Sequence, residues 1–359
     1  MLLAFAACAP AIVAQAEGDS LVPVPTRDRK VIRRWELPGD PRGVATGSDG
    51  TVYVGLAEPQ SVIAVDPMTG AVKKRVVLDS AEIAATKELV AMRTNAAGTR
   101  LFIANGSDES ATILSLPDLG IIREITMEGE AIRDILPDPR GRYVYLLGRR
   151  VHIFDSEGDT ELRTLDVDEP MAIAASANGS LLAVLAAEDF GTTEATVVAL
   201  FDTTSFAELA RDPLQTEKAV EVAMFAAKDR SLIAFSRDAL FEKQVNARPV
   251  RITSAADPKG GAMRVDIGDL VNTNHACLPQ GSGPQIATLG ATDTQLIYAE
   301  RRCSASGTFS GSDRGIAPAS LYGVSAYAVA YSRSANAVVA TDRAGFLTLY
   351  HVPRAAVAK

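Results

Sequence analysis

Short apolar runs separated by turn residues dominate the chain, and two segments show this pattern most clearly. Segment 43–79 contains the runs TVYVGLA, SVIAVD and AVKKRVVL, and segment 99–129 contains the matching runs RLFIANG, ATILSL and IIREITM. The runs are rich in β-branched residues and are bounded by Gly, Pro, Asn and Asp, which is typical of strands rather than of helices. Together with a shorter first run, each segment therefore predicts four antiparallel strands.

The four-strand pattern recurs along the chain, with further copies beginning near 133, 171, 220 and 327. The turn after the first strand marks each copy, at Gly50, Gly98, Gly141, Gly179, Arg230 and Asn336. The intervals are 48, 43, 38, 51 and 106 residues, and the last interval fits two repeats. One divergent copy is therefore expected between Arg230 and Asn336, which makes seven copies in all.

A period of about 40 to 50 residues with four strands per copy is the signature of a β-propeller. We therefore predict an all-β fold, a seven-bladed β-propeller formed by a single domain over 30–353. The last copy has three evident strands, whereas the run KVIRRWEL at 30–37 belongs to no copy. This N-terminal strand is expected to complete the C-terminal blade as its outermost strand and so to close the ring. Rings of six or eight blades remain alternatives, because the pattern does not fix the strand register between 241 and 325.

The repeats resemble those of a known group, the YVTN-type seven-bladed propellers, which belong with the lactonase-like and amine-dehydrogenase-like propellers. The residues that carry the resemblance are LFIANGSDESATILSL at 101–116 and TVYVGLAEPQSVIAVDPMTGAVKKRVVL at 51–78. Proteins of this fold have unrelated activities, so the motif specifies a fold rather than a function. The resemblance implies two candidate activities, a lactonase-like hydrolase and the cofactor-free large subunit of a periplasmic dehydrogenase.

The N-terminal segment 1–16 predicts a secretory signal peptide. It carries no charged residue and ends in Ala14-Gln15-Ala16, the small-x-small pattern of a cleavage site. A lipid anchor at Cys8 is the weaker alternative, because Phe5 fits that signal poorly. An N-terminal core helix is disfavoured by Pro10 and by the polar residues that follow. We therefore expect a periplasmic or secreted protein with a linker at 17–29 and a C-terminal tail at 354–359.

Composition narrows the classes of partner and cofactor. The net charge of −8 and the pI near 5.1 leave no basic stripe for the phosphates of a nucleic acid. Hydrophobic residues make up 47% of the chain, as in ordinary globular proteins, so no membrane span is expected after the signal. The histidines, His152, His275 and His351, are far apart in sequence and form no metal-ligand motif. We therefore predict neither a metal nor a cofactor.

Three long segments are interpreted as enlarged loops between the second and third strands of their copies. They are Ala186–Thr196, RDALFEKQVNARP at 237–249, and Arg301–Ser320. Long loops on one face of a rigid scaffold are where binding usually occurs, so this face is expected to bind a ligand. Insertions that are merely tolerated remain the alternative.

Arginines occupy otherwise apolar positions at the start of the first strands. Arg42 and Arg133 lie eight residues before their turn markers, and Arg93 lies nearby in the intervening copy. Guanidinium groups here would bind a carboxylate or phosphate at the entrance of the central channel. The alternative is that each arginine pairs with a local acid, such as Asp40, Asp134 or Glu169.

Candidate catalysts are few. Glu221 and His275 fall near the starts of first strands, where a general acid or base would act. The chain has no Gly-x-Ser-x-Gly elbow, no phosphate loop and no haem-attachment motif. We therefore predict an exported, non-enzymatic propeller scaffold that binds a protein, a polymer or a small anion through the loop-bearing face. The hydrolase and the dehydrogenase subunit remain the alternatives.

Removal of the signal peptide also removes Cys8 and leaves Cys277 and Cys303. In an oxidising compartment such a pair is expected to form one disulfide, with two buried thiols as the alternative. Thiol labelling of the denatured, unreduced mature protein should therefore detect no free cysteine, and labelling after reduction should detect both. Two labelled thiols without reduction would contradict the disulfide.

Overall fold

The structure is a computed structural model of the chain. It describes residues 19–29, 31–57, 59–78, 91–105, 109–189, 194–213, 220–226, 231–236, 240–251, 261–273, 285–288, 295–299, 306–312, 315–321, 326–332, 334–335, 337–342 and 344–351. Every regular element in these ranges is a β-strand.

The strands form antiparallel sheets that follow one another along the chain. Two strands come first, β1 (Val22–Pro23) and β2 (Val31–Glu36). Sheet 1 consists of β3 (Pro41–Thr46), β4 (Val52–Leu56), β5 (Ser61–Val65) and β6 (Val72–Val77). Sheet 2 consists of β7 (Ala91–Thr94), β8 (Arg100–Asn105), β9 (Ser110–Ser115) and β10 (Ile121–Thr126). Sheet 3 consists of β11 (Asp134–Pro137), β12 (Tyr143–Leu147), β13 (Val151–Asp155) and β14 (Glu161–Leu165).

The second half of the chain continues in the same way. Sheet 4 consists of β15 (Pro170–Ala175), β16 (Leu181–Asp189), β17 (Glu194–Asp202) and β18 (Glu208–Pro213). Sheet 5 consists of β19 (Val220–Ala226), β20 (Ser231–Ser236), β21 (Leu240–Arg251) and β22 (Gly261–Thr273). Sheet 6 consists of β23 (Gln285–Thr288), β24 (Gln295–Ala299), β25 (Ser306–Ser312) and β26 (Gly315–Leu321). Sheet 7 consists of β27 (Ala326–Ser332), β28 (Ala337–Asp342) and β29 (Phe346–His351), joined by β2 and β1.

The prediction of an all-β propeller built from repeated four-stranded sheets is confirmed. The first strands of the sheets contact one another in chain order, from β3 to β7, β11, β15, β19, β23 and β27, and β27 contacts β3. The divergent copy expected between Arg230 and Asn336 corresponds to sheet 6, whose first two strands are β23 and β24.

Burial explains why the middle strands read as continuous apolar runs. Every residue of β4 and β5 is buried, because both faces of these strands are covered by neighbouring sheets. The outer strand β10 instead exposes most of its residues. The chain therefore has apolar layers between adjacent sheets rather than one central core. Four such layers are present in the described part, between sheets 7 and 1, 1 and 2, 2 and 3, and 3 and 4.

Glycine is required at the turns between first and second strands. Gly50, Gly98, Gly141 and Gly179 have φ of 86°, 68°, 71° and 64°. Other residues rarely adopt such backbone angles, so these glycines terminate the first strand and reverse the chain. They are four of the six turn markers taken from the sequence, whereas Arg230 and Asn336 lie outside the described residues.

The N-terminal strand joins the last sheet. β2 pairs antiparallel with β29, from Val31 opposite Tyr350 to Glu36 opposite Phe346. On the other face of this junction Trp35 is 6% exposed, and its indole Nε1 donates to the carbonyl of Pro67 in sheet 1 at 2.9 Å. The closing strand is therefore bonded to sheet 7 and anchored to sheet 1.

The sequence predicts β2 as the outermost strand of this sheet. This prediction is wrong, because β1 lies outside β2. β1 pairs with β2 on its free side, so part of the 17–29 segment assigned to a linker belongs to the sheet. The same segment also bonds to sheet 1, because Leu21 N–H donates to Gly70 at 2.8 Å and Val72 N–H donates to Asp19 at 2.8 Å. Pro23 is compatible with β1, because proline is tolerated on an edge strand.

Two of the three predicted loops are wrong. Residues 240–249 belong to β21, which pairs with β22 and extends beyond the end of β20. Residues 306–312 and 315–320 belong to β25 and β26, the third and fourth strands of sheet 6. Both segments have few large apolar residues, but strand pairing uses main-chain groups, which serine and glycine supply as well as valine does. Ala186–Thr196 does lie at the junction of a second and a third strand, as predicted, with residues 186–189 in β16 and 194–196 in β17.

Trp35→Ala should destabilise the protein by about 3–5 kcal/mol, because it removes a large buried side chain from the layer between sheets 7 and 1. Trp35→Phe should cost less, since it keeps the apolar contact with Gly70 and loses mainly the bond to Pro67. Urea unfolding of both variants measures the difference. Arg33→Ala, at an exposed position of the same strand, is the control, and an equal loss there would contradict the anchoring role of Trp35.

Candidate functional site

The first strands begin at one end of the sheets, next to the turns between second and third strands. We call this end the connector face and define it by residues 37–40, 127–133, 148–150 and 166–169. The candidate arginines lie on this face, and the glycine turns lie on the opposite one. Between sheets 3 and 4, the connector face carries an extended hairpin, the guanidinium of Arg133 and a histidine held between two glutamates.

A hairpin of sheet 4 projects from the connector face. The pairing between β15 and β16 extends only as far as Pro170, which lies opposite Ala186. β16 and β17 continue beyond that point through the pairs Ala187 with Thr196, Glu188 with Ala195 and Asp189 with Glu194. We call residues 187–189 and 194–196 the projecting hairpin. Its base is bonded to the connector, because Ala187 N–H donates to the carbonyl of Glu169 at 3.2 Å.

Arg133 lies beside this hairpin, immediately before β11. Its Nη2 donates to the carbonyl of Gly148 and, at 2.5 Å, to the carbonyl of Pro170 in sheet 4. Burial lowers the pKa of Arg133, and the negative charges of Glu130 and Glu169 oppose this shift. Among the described residues, no carboxylate lies within ion-pair distance of Arg133. The guanidinium is therefore fixed by main-chain carbonyls and not neutralised by direct contact.

The carboxylate of Glu130 contacts His152 rather than Arg133. His152 Nε2 lies 3.2 Å from Glu130 Oε2, and His152 Nδ1 lies 2.8 Å from Glu161 Oε1. The main-chain N–H of Arg150 also donates to Glu130 Oε1 at 3.0 Å. When both carboxylates are ionised they only accept, so both ring nitrogens must carry hydrogen for both contacts to be hydrogen bonds. Each ring nitrogen of His152 is therefore in contact with a carboxylate.

Glu161 is the outer end of this chain of contacts. Burial alone would raise its pKa, but hydrogen bonds from Thr164 and His152 and the charge of His152 lower it. The Thr164 hydroxyl donates to Glu161 Oε1 at 2.6 Å. Sequence reasoning missed this group, because Glu130, His152 and Glu161 come from a connector and two different strands and show no characteristic spacing.

The other two candidate arginines are paired with acids. Arg42 Nη2 lies 2.9 Å from Asp40 Oδ2, the local pairing that was the alternative to ligand binding. Arg93 in β7 donates through Nε and Nη2 to Asp134 at the start of β11, with a shortest contact of 2.8 Å. Burial would lower the pKa of Arg93, but the charge and hydrogen bonds of Asp134 raise it. This ion pair joins sheets 2 and 3. Because Asp134 directly follows Arg133 in the chain, the pair also lies beside Arg133.

The side chains of the other candidate residues lie outside the part of the chain that the structure describes. Glu221 lies on β19, at the irregularity between Val220 and Val222, and its side chain is outside the described part. His275, Cys277 and Cys303 lie outside the described residues. Within the described residues, no group of three or more His, Cys, Asp and Glu side chains is arranged to hold a metal ion. No helix in that part of the chain is long and apolar enough to span a membrane.

Arginines on the opposite face join neighbouring sheets. Arg142 forms an ion pair with Asp138 of its own sheet and donates to the carbonyl of Gly179 at 2.8 Å and to Thr203 at 2.9 Å in sheet 4. Arg100 reaches Glu157 of sheet 3 in the same way at 2.8 Å. Both arginines follow a glycine turn by one or two residues. These contacts indicate a structural role for the turn face.

Comparison with known proteins defines the fold class. No family model matches the chain, and no curated protein matches it either. The YVTN-type resemblance therefore remains a prediction.

Solved structures do match, and they are propellers. A chain of the Mitotic Checkpoint Complex is similar with a TM-score of 0.66, 14% identity and 99% coverage of both chains. A chain of Kuenenia stuttgartiensis hydrazine synthase has a TM-score of 0.64 and 14% identity, with 91% of this chain and 99% of that chain covered. The Myceliophteria thermophila Cps50 (Swd1) β-propeller domain has a TM-score of 0.65 and 12% identity, with 90% and 99% covered. The chain is thus a β-propeller in fold, and identities this low carry no function with them.

Asp134→Asn should destabilise the protein by about 1–3 kcal/mol, because it leaves the half-buried guanidinium of Arg93 without its carboxylate. The double variant Arg93→Met with Asp134→Leu should recover part of this loss. Thermal or urea unfolding measures both effects.

Asp159→Asn is the matched control, because the pair of Arg123 with Asp159 is more exposed, at 44% for each side chain. Its loss should be about 0–1 kcal/mol. Equal losses for the two aspartate variants would show that the pair between sheets 2 and 3 has no special contribution.

Proposed function

We propose that the protein is an exported, non-enzymatic seven-bladed propeller that binds a partner protein through its connector face. The observation that carries this proposal is the projecting hairpin next to the guanidinium of Arg133, which contacts no carboxylate among the described residues. A hairpin that extends past its own sheet contributes little to the core, but it gives a partner main-chain and side-chain contacts on a rigid support.

The seven-bladed ring is part of the proposal. It is supported by the seven sheets formed by the described strands and by the closed order in which their first strands contact one another. The pairing of β2 with β29 supports closure by the N-terminal strand. Membership of the YVTN-type group is proposed on the repeat sequences alone.

A binding role is favoured over hydrolysis by the state of the polar groups at this face. His152 has a carboxylate at each ring nitrogen, so neither nitrogen is available to activate a nucleophile. Arg93 and Arg42 are engaged by aspartates. The remaining exposed charges, such as those of Arg149, Asp166 and Asp168, lie where an incoming protein would meet them.

A protein partner is favoured over a polymer or a small anion because the features extend over a wide area. The projecting hairpin, the 148–150 turn and the 166–169 connector belong to two sheets, more than a small ligand would contact. Two of the similar propellers are a chain of the Mitotic Checkpoint Complex and the Swd1 propeller domain, and we propose a protein-binding scaffold role for this chain as well. Export is proposed on the 1–16 segment.

A photo-crosslinking residue at Ala187, in the projecting hairpin, should give one discrete adduct with a protein when the full chain is expressed in its native host. The same residue at Leu162, a half-exposed position on outer strand β14, is the control and should give none. Cell fractionation should find the protein and its adduct outside the cytoplasm. Adducts of equal yield at both positions, or none at Ala187, would contradict the proposed binding face.

Hydrolysis is tested separately with the purified protein and a set of lactones. The scaffold proposal predicts no turnover above buffer. Turnover that disappears in Arg133→Ala or His275→Ala would replace it with the lactonase-like activity. Copurification with a redox subunit would favour the dehydrogenase alternative.

A further inference from the structure

We infer that Arg133 and Glu169 form a two-charge subsite that takes a partner segment with an acidic and a basic side chain close together. The inference rests on the proposed binding role of the connector face and adds the chemistry that the partner must present. Arg133 would bind the carboxylate of the segment, and Glu169 would bind its ammonium or guanidinium group.

The first argument is the way in which Arg133 is held. Two main-chain carbonyls, of Gly148 and Pro170, accept from its Nη2, so both hydrogens of that nitrogen are used. The hydrogens on Nε and Nη1 have no acceptor among the described residues. An arginine held in this way has lost much of its rotamer entropy before a ligand arrives, which favours binding through the remaining N–H groups.

The second argument is the position of Glu169. It directly precedes Pro170, whose carbonyl accepts from Arg133, and its negative charge acts on the Arg133 guanidinium. Glu169 has φ of 43°, a left-handed conformation that is uncommon for a residue other than glycine. The bond from Ala187 N–H to the Glu169 carbonyl ties this conformation to the base of the projecting hairpin. Such strain is often retained where a side chain must be held at a functional site.

The third argument is that the two charges are not paired with each other. No ion pair joins Arg133 to Glu169 among the described contacts, although the charge of Glu169 partly opposes the lowering of the Arg133 pKa by burial. The nearest competing acid, Glu130, is engaged by His152 Nε2 and by the N–H of Arg150. Exposed opposite charges that are adjacent yet unpaired match a ligand with the same two charges in reversed order.

A lone anion fits this site less well. Glu169 and Glu130 would repel a simple phosphate or an acidic run, and the protein as a whole carries a net charge of −8. A lone cation would meet the positive charge of Arg133. A mixed-charge segment satisfies both groups at once.

The test is a selection of peptides from a random displayed library on the immobilised, purified protein. Selected peptides should contain an acidic and a basic residue close together. Arg133→Gln should weaken their binding about tenfold or more, and the loss should disappear for a peptide whose acid has been changed to its amide. Glu169→Gln should show the same coupling to the basic residue of the peptide.

Two variants away from the connector face serve as controls for the general field of the protein. Arg123→Gln and Asp159→Asn each remove one charge of an exposed ion pair between sheets 2 and 3 and should change binding only slightly. Losses equal to those of Arg133→Gln and Glu169→Gln, or selected peptides with no charge preference, would overturn the inference. Thermal unfolding of each variant shows whether it folds, and Arg133→Lys provides a charged variant that lacks the forked geometry.

The proposed binding face and the proposed subsite of Arg133 and Glu169 can be disproved separately. Peptides that compete with the adduct at Ala187 but are insensitive to Arg133 would overturn only the subsite. Peptides that bind without competing with that adduct would show that the connector face itself had been wrongly chosen. Free succinate that binds as tightly as the peptides would assign Arg133 to a small organic acid instead.

Discussion

The packing of each sheet against the next is the interaction on which the rest of the structure depends. Sheet 1 cannot bury its apolar residues alone, because its two middle strands are buried on both faces. In the layer between sheets 1 and 2, Tyr53 and Val62 meet Leu101 and Ile103, and comparable sets fill the next two layers. Polar residues such as Thr112 and Thr348 are buried within these strands, but among the described residues Asp138 is the only buried charged side chain. The site follows from this constraint, since the ends are the places where the chain is free to vary.

The layer between sheets 7 and 1 differs from the others because it joins distant parts of the chain. It contains Leu21, Trp35 and Leu37 from the N-terminal segment together with Leu347 and Leu349 from β29. Main-chain bonds reinforce the layer on both sides, from β2 to β29 and from residues 19–21 to sheet 1. The same N-terminal segment thus belongs to sheet 7 by its pairing and to sheet 1 by its contacts. An open edge on either sheet would otherwise be available for unwanted strand pairing.

The sequence predicts well those features that depend on neighbours along the chain. Gly50 and Gly98 identified turns because a left-handed turn residue is a local requirement, and KVIRRWEL identified the closing strand because it belonged to no repeat. The arginines were harder, because their partners come from other sheets. Arg42 has its acid two residues away and was predictable, whereas the partner of Arg93 is Asp134 in the next sheet.

The same distinction explains the features of the site that were missed. Glu130, His152 and Glu161 meet only because a connector folds against two strands, so their spacing carried no signal. Residues 240–249 and 306–320 were taken for loops because they have few large apolar residues. Their strands are defined by main-chain pairing, which composition does not report.

The pairing of the N-terminal strand with the last sheet also has a consequence for how the protein is made. Arg34 meets Asp342, a residue 308 positions later in the chain. Trp35 and its strand therefore have no partner in sheet 7 until the ribosome has added about 300 further residues. The earliest sheets must wait in a partly covered state for β29, so the rate-limiting event in maturation is expected to be the arrival of β29 rather than the formation of any single repeat.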